Sequence, residues 1–171
     1  MSKSSIAVMP AFFDRYINLA PDIDVVDALA EQASLDRLLP AATMTKLGDY
    51  VYAPGKWTAN DIIQHLIDTE RIMAYRALRF ARADPTSLPG FEEDDFARSA
   101  RASRRTIADL YAEFDAVRQA TLALFRSFDG EMLQGTGICA GQTLSALALG
   151  YVLVGHPMHH ANVVRERYFP K

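Results

Sequence analysis

The sequence predicts an all-α fold, a four-helix bundle with an N-terminal extension and long loops. Three observations predict it. Four segments repeat apolar residues at spacings of three and four, no segment alternates polar and apolar residues as a half-buried strand would, and the 171-residue length is that of one domain with a real core. The chain therefore reads as a single domain over residues 1–171, with helices at about 22–39, 59–82, 103–128 and 143–168.

Residues 1–21 form an irregular lead-in with room for one short helix, where Phe12, Phe13, Tyr16 and Ile17 offer aromatic and apolar surface to the body. Val25, Val26, Leu29, Ala33 and Leu38 then trace the first helix, which Pro40 stops. Met44 to Gly55, with Gly48, Pro54 and Gly55, reads as a connection. Thr58 followed by Asp61 is a start signal for the second helix, since the threonine can cap it and the acid suits its positive end. Trp57 just before it reads as a hydrophobic staple. Asp84-Pro85 ends that helix, and a loop through Gly90 leads to the acidic patch Glu92 to Asp95, which can hold a short helical turn. Ser103 serves as the cap of the third helix, whose stripe is Ile107, Leu110, Phe114, Val117, Thr121, Leu124 and Phe128. The glycine-rich stretch Gly135 to Gly141 reads as a loop or lid, and Thr143 opens the fourth helix.

Half of the residues are hydrophobic and 23% are charged, a globular balance that excludes a mainly disordered chain. A net charge of −3 lacks the basic footprint of a nucleic-acid binder. The apolar part of the last helix, Leu144 to Val154, is too short to span a membrane, and the N-terminus lacks the apolar core of a secretory signal. A lone cysteine, Cys139, cannot form an intramolecular disulfide, so the expected compartment is the cytoplasm.

Three of the four histidines lie within five residues, at His156, His159 and His160; the fourth is His65. On a helix, His156 and His160 fall roughly 40° apart, on the apolar stripe, while His159 is turned roughly 60° from His156. The i, i+4 spacing lets two imidazoles hold one metal ion, although no glutamate stands where a zinc protease would need it. Pro157 lies between them and deprives Leu153 of its helical hydrogen bond. His65 shares an inward face with Ile62, Thr69, Ile72 and Arg76. Each of these histidines has a plain alternative as a hydrogen-bonded core residue. No Glu-x-x-His occurs, which argues against a ferritin-like di-iron site.

The block from Tyr52 to Thr58, the run Gln64-His65-Leu66-Ile67-Asp68-Thr69-Glu70-Arg71, the segment Gly155-His156-Pro157-Met158-His159-His160 and Arg165-Glu166-Arg167-Tyr168 together resemble the DinB family of DinB/YfiT-like metalloenzymes. The resemblance spans most of the chain and implies a four-helix bundle whose metal triad falls on His65, His156 and His160. It implies a divalent cation, zinc or nickel first, with iron, cobalt or manganese compatible. It also implies a small-molecule substrate, a homodimer, and chemistry that is either transfer from a low-molecular-weight thiol or hydrolysis. The alternative is a non-catalytic metal-binding or stress-related bundle, since a fold alone does not supply an activity.

Arg76 and Arg79 lie near the His65 face further along the helix and are candidates to hold the carboxylates of such a thiol, with salt bridges as the competing reading. Asp68 and Thr69, turned roughly 60° and 40° from His65, are candidates to orient an imidazole or act as a general base. Glu70 falls on the far side and reads as solvated. Cys139, with no base partner in view, reads as structural.

Overall fold

The computed structural model describes residues 1–169, so residues 170 and 171 of the expected domain lie outside it. A single helical turn, α1 (Asp14–Ile17), precedes α2 (Val25–Glu31) and α3 (Ala41–Leu47). The expected first helix over 22–39 is thus not continuous. It stops after Glu31, and a 3₁₀ turn at Leu35–Arg37 keeps Leu35 and Leu39 in the core before α3 begins behind Pro40. Part of the expected connection from Met44 to Gly55 is therefore helical, with Met44 buried in α3.

The second long helix, α4 (Ala59–Ala81), starts as the sequence predicts. The Asp61 N–H donates to Thr58 Oγ1 at 3.3 Å and the Thr58 N–H donates to Asp61 Oδ2 at 3.0 Å, so each residue satisfies a backbone donor of the other. The acidic patch forms a full short helix, α5 (Glu93–Ala100). The next long helix, α6 (Ile107–Arg126), is capped by Thr106 with Asp109, and not by Ser103, which sits in a 3₁₀ turn at Ala102–Arg104.

A short helix, α7 (Gly130–Gln134), leads into an antiparallel hairpin where a loop was expected: β1 (Thr136–Cys139) pairs with β2 (Gln142–Ser145), Gly137 opposite Leu144 and Cys139 opposite Gln142. Ala140 and Gly141 make the turn, both at positive φ as a tight two-residue hairpin turn requires. The hairpin lies flat on α4, since a Cβ on Gly137 would come within 2.1 Å of the Phe80 ring. Leu88 docks on its edge, donating to the Ile138 carbonyl at 2.9 Å and accepting from Ala140 N–H at 3.0 Å. The last helix, α8 (Ala146–Arg167), begins behind a Ser145 cap two residues after the expected Thr143, and runs unbroken through Pro157.

The bundle is formed by the α2/α3 pair, α4, α6 and α8, with α4 packed on both α6 and α8. That central position overturns the reading of Glu70 as solvated. Glu70 is 2% exposed and takes a bidentate pair of 2.7 Å bonds from Arg118 of α6, itself fully buried. α1 lies across α8 so closely that a Cβ on Gly155 would stand 1.8 Å from the Tyr16 carbonyl oxygen. Glycine at that position seats Tyr16 beside the next residue, His156. Among the described residues, no helix is long and apolar enough to cross a membrane.

Candidate metal centre

The crossing of α4 and α8 brings His65, His156 and His160 together. His65 and His156 are 5% and 4% exposed. The Nε2 atoms of His65 and His156 are 3.0 Å apart, and those of His156 and His160 are 3.1 Å apart. One nitrogen from each of the three lies within 4.8 Å of the other two. Two imidazole nitrogens on one tetrahedral zinc stand about 3.3 Å apart, given bonds of about 2.0–2.1 Å. The His65–His156 and His156–His160 pairs are therefore within a few tenths of an ångström of that spacing. Among the described residues no carboxylate or thiolate joins the group, so a bound ion keeps an open position. An all-imidazole set suits zinc, nickel, cobalt and iron better than magnesium or calcium.

The electrostatics point the same way. Burial pushes His65 down to about 4, and burial together with the neighbouring imidazoles holds His156 and His160 well below the ordinary histidine range. All three are neutral at pH 7, the form that donates a lone pair to a cation. This has a consequence for the metal-free protein. For His65 the unfolded chain takes up its proton near pH 6.5 and the folded chain only near pH 4, and burial shifts His156 and His160 in the same direction, so stability holds above about pH 6.5 and is lost as pH falls below it. Melting temperatures of metal-free protein at pH 7.5 and pH 5 are expected to show the drop, and His156→Asn to reduce it. An equal drop in both proteins would mean that the triad is not its source.

Aromatic rings enclose the cluster. Tyr16 of α1 meets His156 edge-on with ring centres 5.1 Å apart. Trp57 lies 4.7 Å from the His65 ring and nearly parallel to His160, and its indole N–H donates to Asp94 of α5 at 3.1 Å. Trp57 is thus a wall of the site as well as the entry to α4, a role that its place before a helix cap does not disclose. A cavity of about 270 Å³ is lined by His65, Thr69, Met73, Arg76 and His156, with Phe12, Phe13, Tyr16 and Phe91 closing its sides. A second, of about 210 Å³, meets the cluster on the side of Trp57, Asp94 and His160.

The remaining candidates separate. Thr69 is buried at the first cavity, its Oγ1 3.5 Å from His65 Nδ1, at the outer limit for a bond that would fix the tautomer leaving Nε2 free to ligate. Asp68 points elsewhere, accepting from Gln64 Nε2 at 2.9 Å in a network with Arg105 and Glu113 between α4 and α6. Arg76 lines the first cavity, whereas Arg79 pairs with Asp84 and the Tyr75 hydroxyl and lines neither. His159 packs its ring against Tyr16 and His160 outside the triad. Cys139 is fully buried in β1, where burial raises its thiol pKa, the opposite of what a nucleophile needs.

No curated protein matches the sequence. A family model described as the DinB superfamily matches residues 27–164. Among solved structures, YfiT from Bacillus subtilis, described as a probable metal-dependent hydrolase with an unusual four-helix bundle topology, superposes with a TM-score of 0.62 at 16% identity. The match covers 92% of this chain and 89% of that one, a likeness of fold.

Proposed function

The chain belongs to the DinB superfamily, and from that premise we propose that it is a metal-dependent enzyme acting on a small molecule, its divalent cation held by His65, His156 and His160. The observation that carries this reading is the convergence of three neutral imidazoles, two buried and His160 half-buried, with Nε2 atoms 3.0 and 3.1 Å apart beside a cavity of about 270 Å³. Bound there, a divalent ion lowers the pKa of a water or thiol toward neutrality and polarises an electrophile in its open position.

The chain's own residues do the rest. Thr69 Oγ1, 3.5 Å from His65 Nδ1, is the group placed to accept that proton and so keep Nε2 available. Tyr16 and Trp57 flank the imidazoles and exclude water from their faces, which strengthens every electrostatic interaction inside. The cavity on the His65 and His156 side receives the substrate. Hydrolysis and thiol transfer share this apparatus and differ only in the nucleophile. The description of the fold neighbour as a probable metal-dependent hydrolase favours testing water first.

Elemental analysis of tag-free protein purified without a nickel column tests the reading. About one equivalent of a divalent metal per chain is expected. No metal, even after reconstitution, would sink it and leave a helical bundle whose histidines serve packing alone.

A further inference from the structure

Arg76 is a buried cation without a carboxylate. It is 4% exposed, yet among the described residues no Asp or Glu pairs with it. Of its five N–H groups two are engaged, one donating to the Pro89 carbonyl at 2.7 Å and one to the weak acceptor Met73 Sδ at 3.4 Å. Buried charges are ordinarily paired, and the buried Arg118 of this same chain has its Glu70. Arg76 instead faces the cavity that His65 and His156 line from the other side. Glu93 at the mouth does not neutralise it: that carboxyl is exposed and feels the charges of Arg15 and Asp94.

We propose that the cavity binds a small organic acid, its carboxylate on the Arg76 guanidinium, its apolar body against Phe13, Met73 and Phe91, and its reactive group at the histidine triad. The last placement rests on the triad being the metal site; the anion end stands on Arg76 alone. The lining is otherwise mostly apolar, which suits a ligand with a hydrocarbon body. Arg76 is the one arginine in the lining and balances a monoanion, whereas the second charge of a phosphate would face Glu93. A guanidinium is also the group best matched to a planar carboxylate. At about 270 Å³ the space is near the lower end for ligand pockets, so the acid is short.

The test compares hexanoate with hexanamide, which have the same chain and differ in charge, titrated into metal-free protein so that no ion draws the carboxylate. Binding is followed by NMR chemical shifts. Hexanoate is expected to bind about 10- to 100-fold more tightly, the range for a hydrogen bond to a charged group. Arg76→Gln is expected to abolish the difference and Arg76→Lys to keep part of it. Equal binding of the two ligands to wild type, or a hexanoate preference that survives Arg76→Gln, overturns the proposal and leaves Arg76 as a clamp on the Pro89 loop. If Arg76→Gln does not fold, the wild-type comparison still decides. Metal loading is read separately: wild type that prefers hexanoate but takes up no metal refutes the metal reading alone, and wild type that loads metal without the preference refutes the acid site alone.

Discussion

Replacing His156 by alanine is expected to weaken metal binding by about 10²- to 10³-fold, with His65→Ala and His160→Ala close behind. The magnitude follows from the binding free energy of small zinc sites, about 10–16 kcal/mol over four ligands, or about 3–4 kcal/mol for each one removed. His156 should be the most severe because its Nε2 is the one within 3.1 Å of both others, so its loss separates the remaining pair. His159→Ala is the control. Its ring lies next to His160 but packs on Tyr16, outside the triad, and its loss should leave loading intact. Competition with a chromophoric chelator measures all four variants, and circular dichroism checks that each retains its helices. If His159→Ala lost the metal as fully as His156→Ala, the ligand set would have been drawn wrongly. Thr69→Ala should be milder, about tenfold, since second-shell partners contribute about 10- to 100-fold and this one is long at 3.5 Å.

The meeting of the three imidazoles was legible from helical phase together with the family resemblance, which singled out His65 as the third member. An i, i+4 pair and a histidine on another inward stripe meet wherever two helices cross with those stripes facing, and α4 and α8 do so. The start of α4 is legible through Thr58 and Asp61, and the same Thr-x-x-Asp signal at Thr106 and Asp109, three residues beyond Ser103, marks the start of α6. The break in the first helix was not legible, because the 3₁₀ turn at Leu35–Arg37 carries Leu35 and Leu39 to the core and preserves the apolar spacing across it. Nor was the hairpin, whose four-residue strands are too short for alternation and whose Gly137 is there to pass under Phe80. Glu70 lies off the His65 stripe yet is buried, because α4 packs on two long neighbours and so buries a second face. Arg118, four residues after Phe114 and so on the apolar stripe of α6, was the available hint that a buried acid had to exist.

That buried pair carries the second large effect. Glu70→Leu is expected to destabilise the protein by about 3–5 kcal/mol, because it strands the Arg118 charge in the core. Arg118→Met should cost as much for an additional reason. Pro157 has no N–H, so the Leu153 carbonyl one turn earlier lacks its helical partner, and Arg118 supplies the missing donor at 3.1 Å. An orphaned buried carbonyl costs about 1–3 kcal/mol. Restoring the donor with Pro157→Ala should therefore recover part of the loss caused by Arg118→Met, and should not relieve the stranded charge left by Glu70→Leu. The double change Glu70→Leu with Arg118→Met removes both charges and should recover much of what either single change loses, though not the Leu153 bond. Urea denaturation of wild type, the two single variants, their double and each single variant combined with Pro157→Ala reads these differences. If Pro157→Ala stabilised the Arg118→Met and Glu70→Leu proteins equally, Arg118 would be only a counter-ion. The expected asymmetry instead makes it the group that satisfies the carbonyl left open by Pro157 in the turn that carries His156.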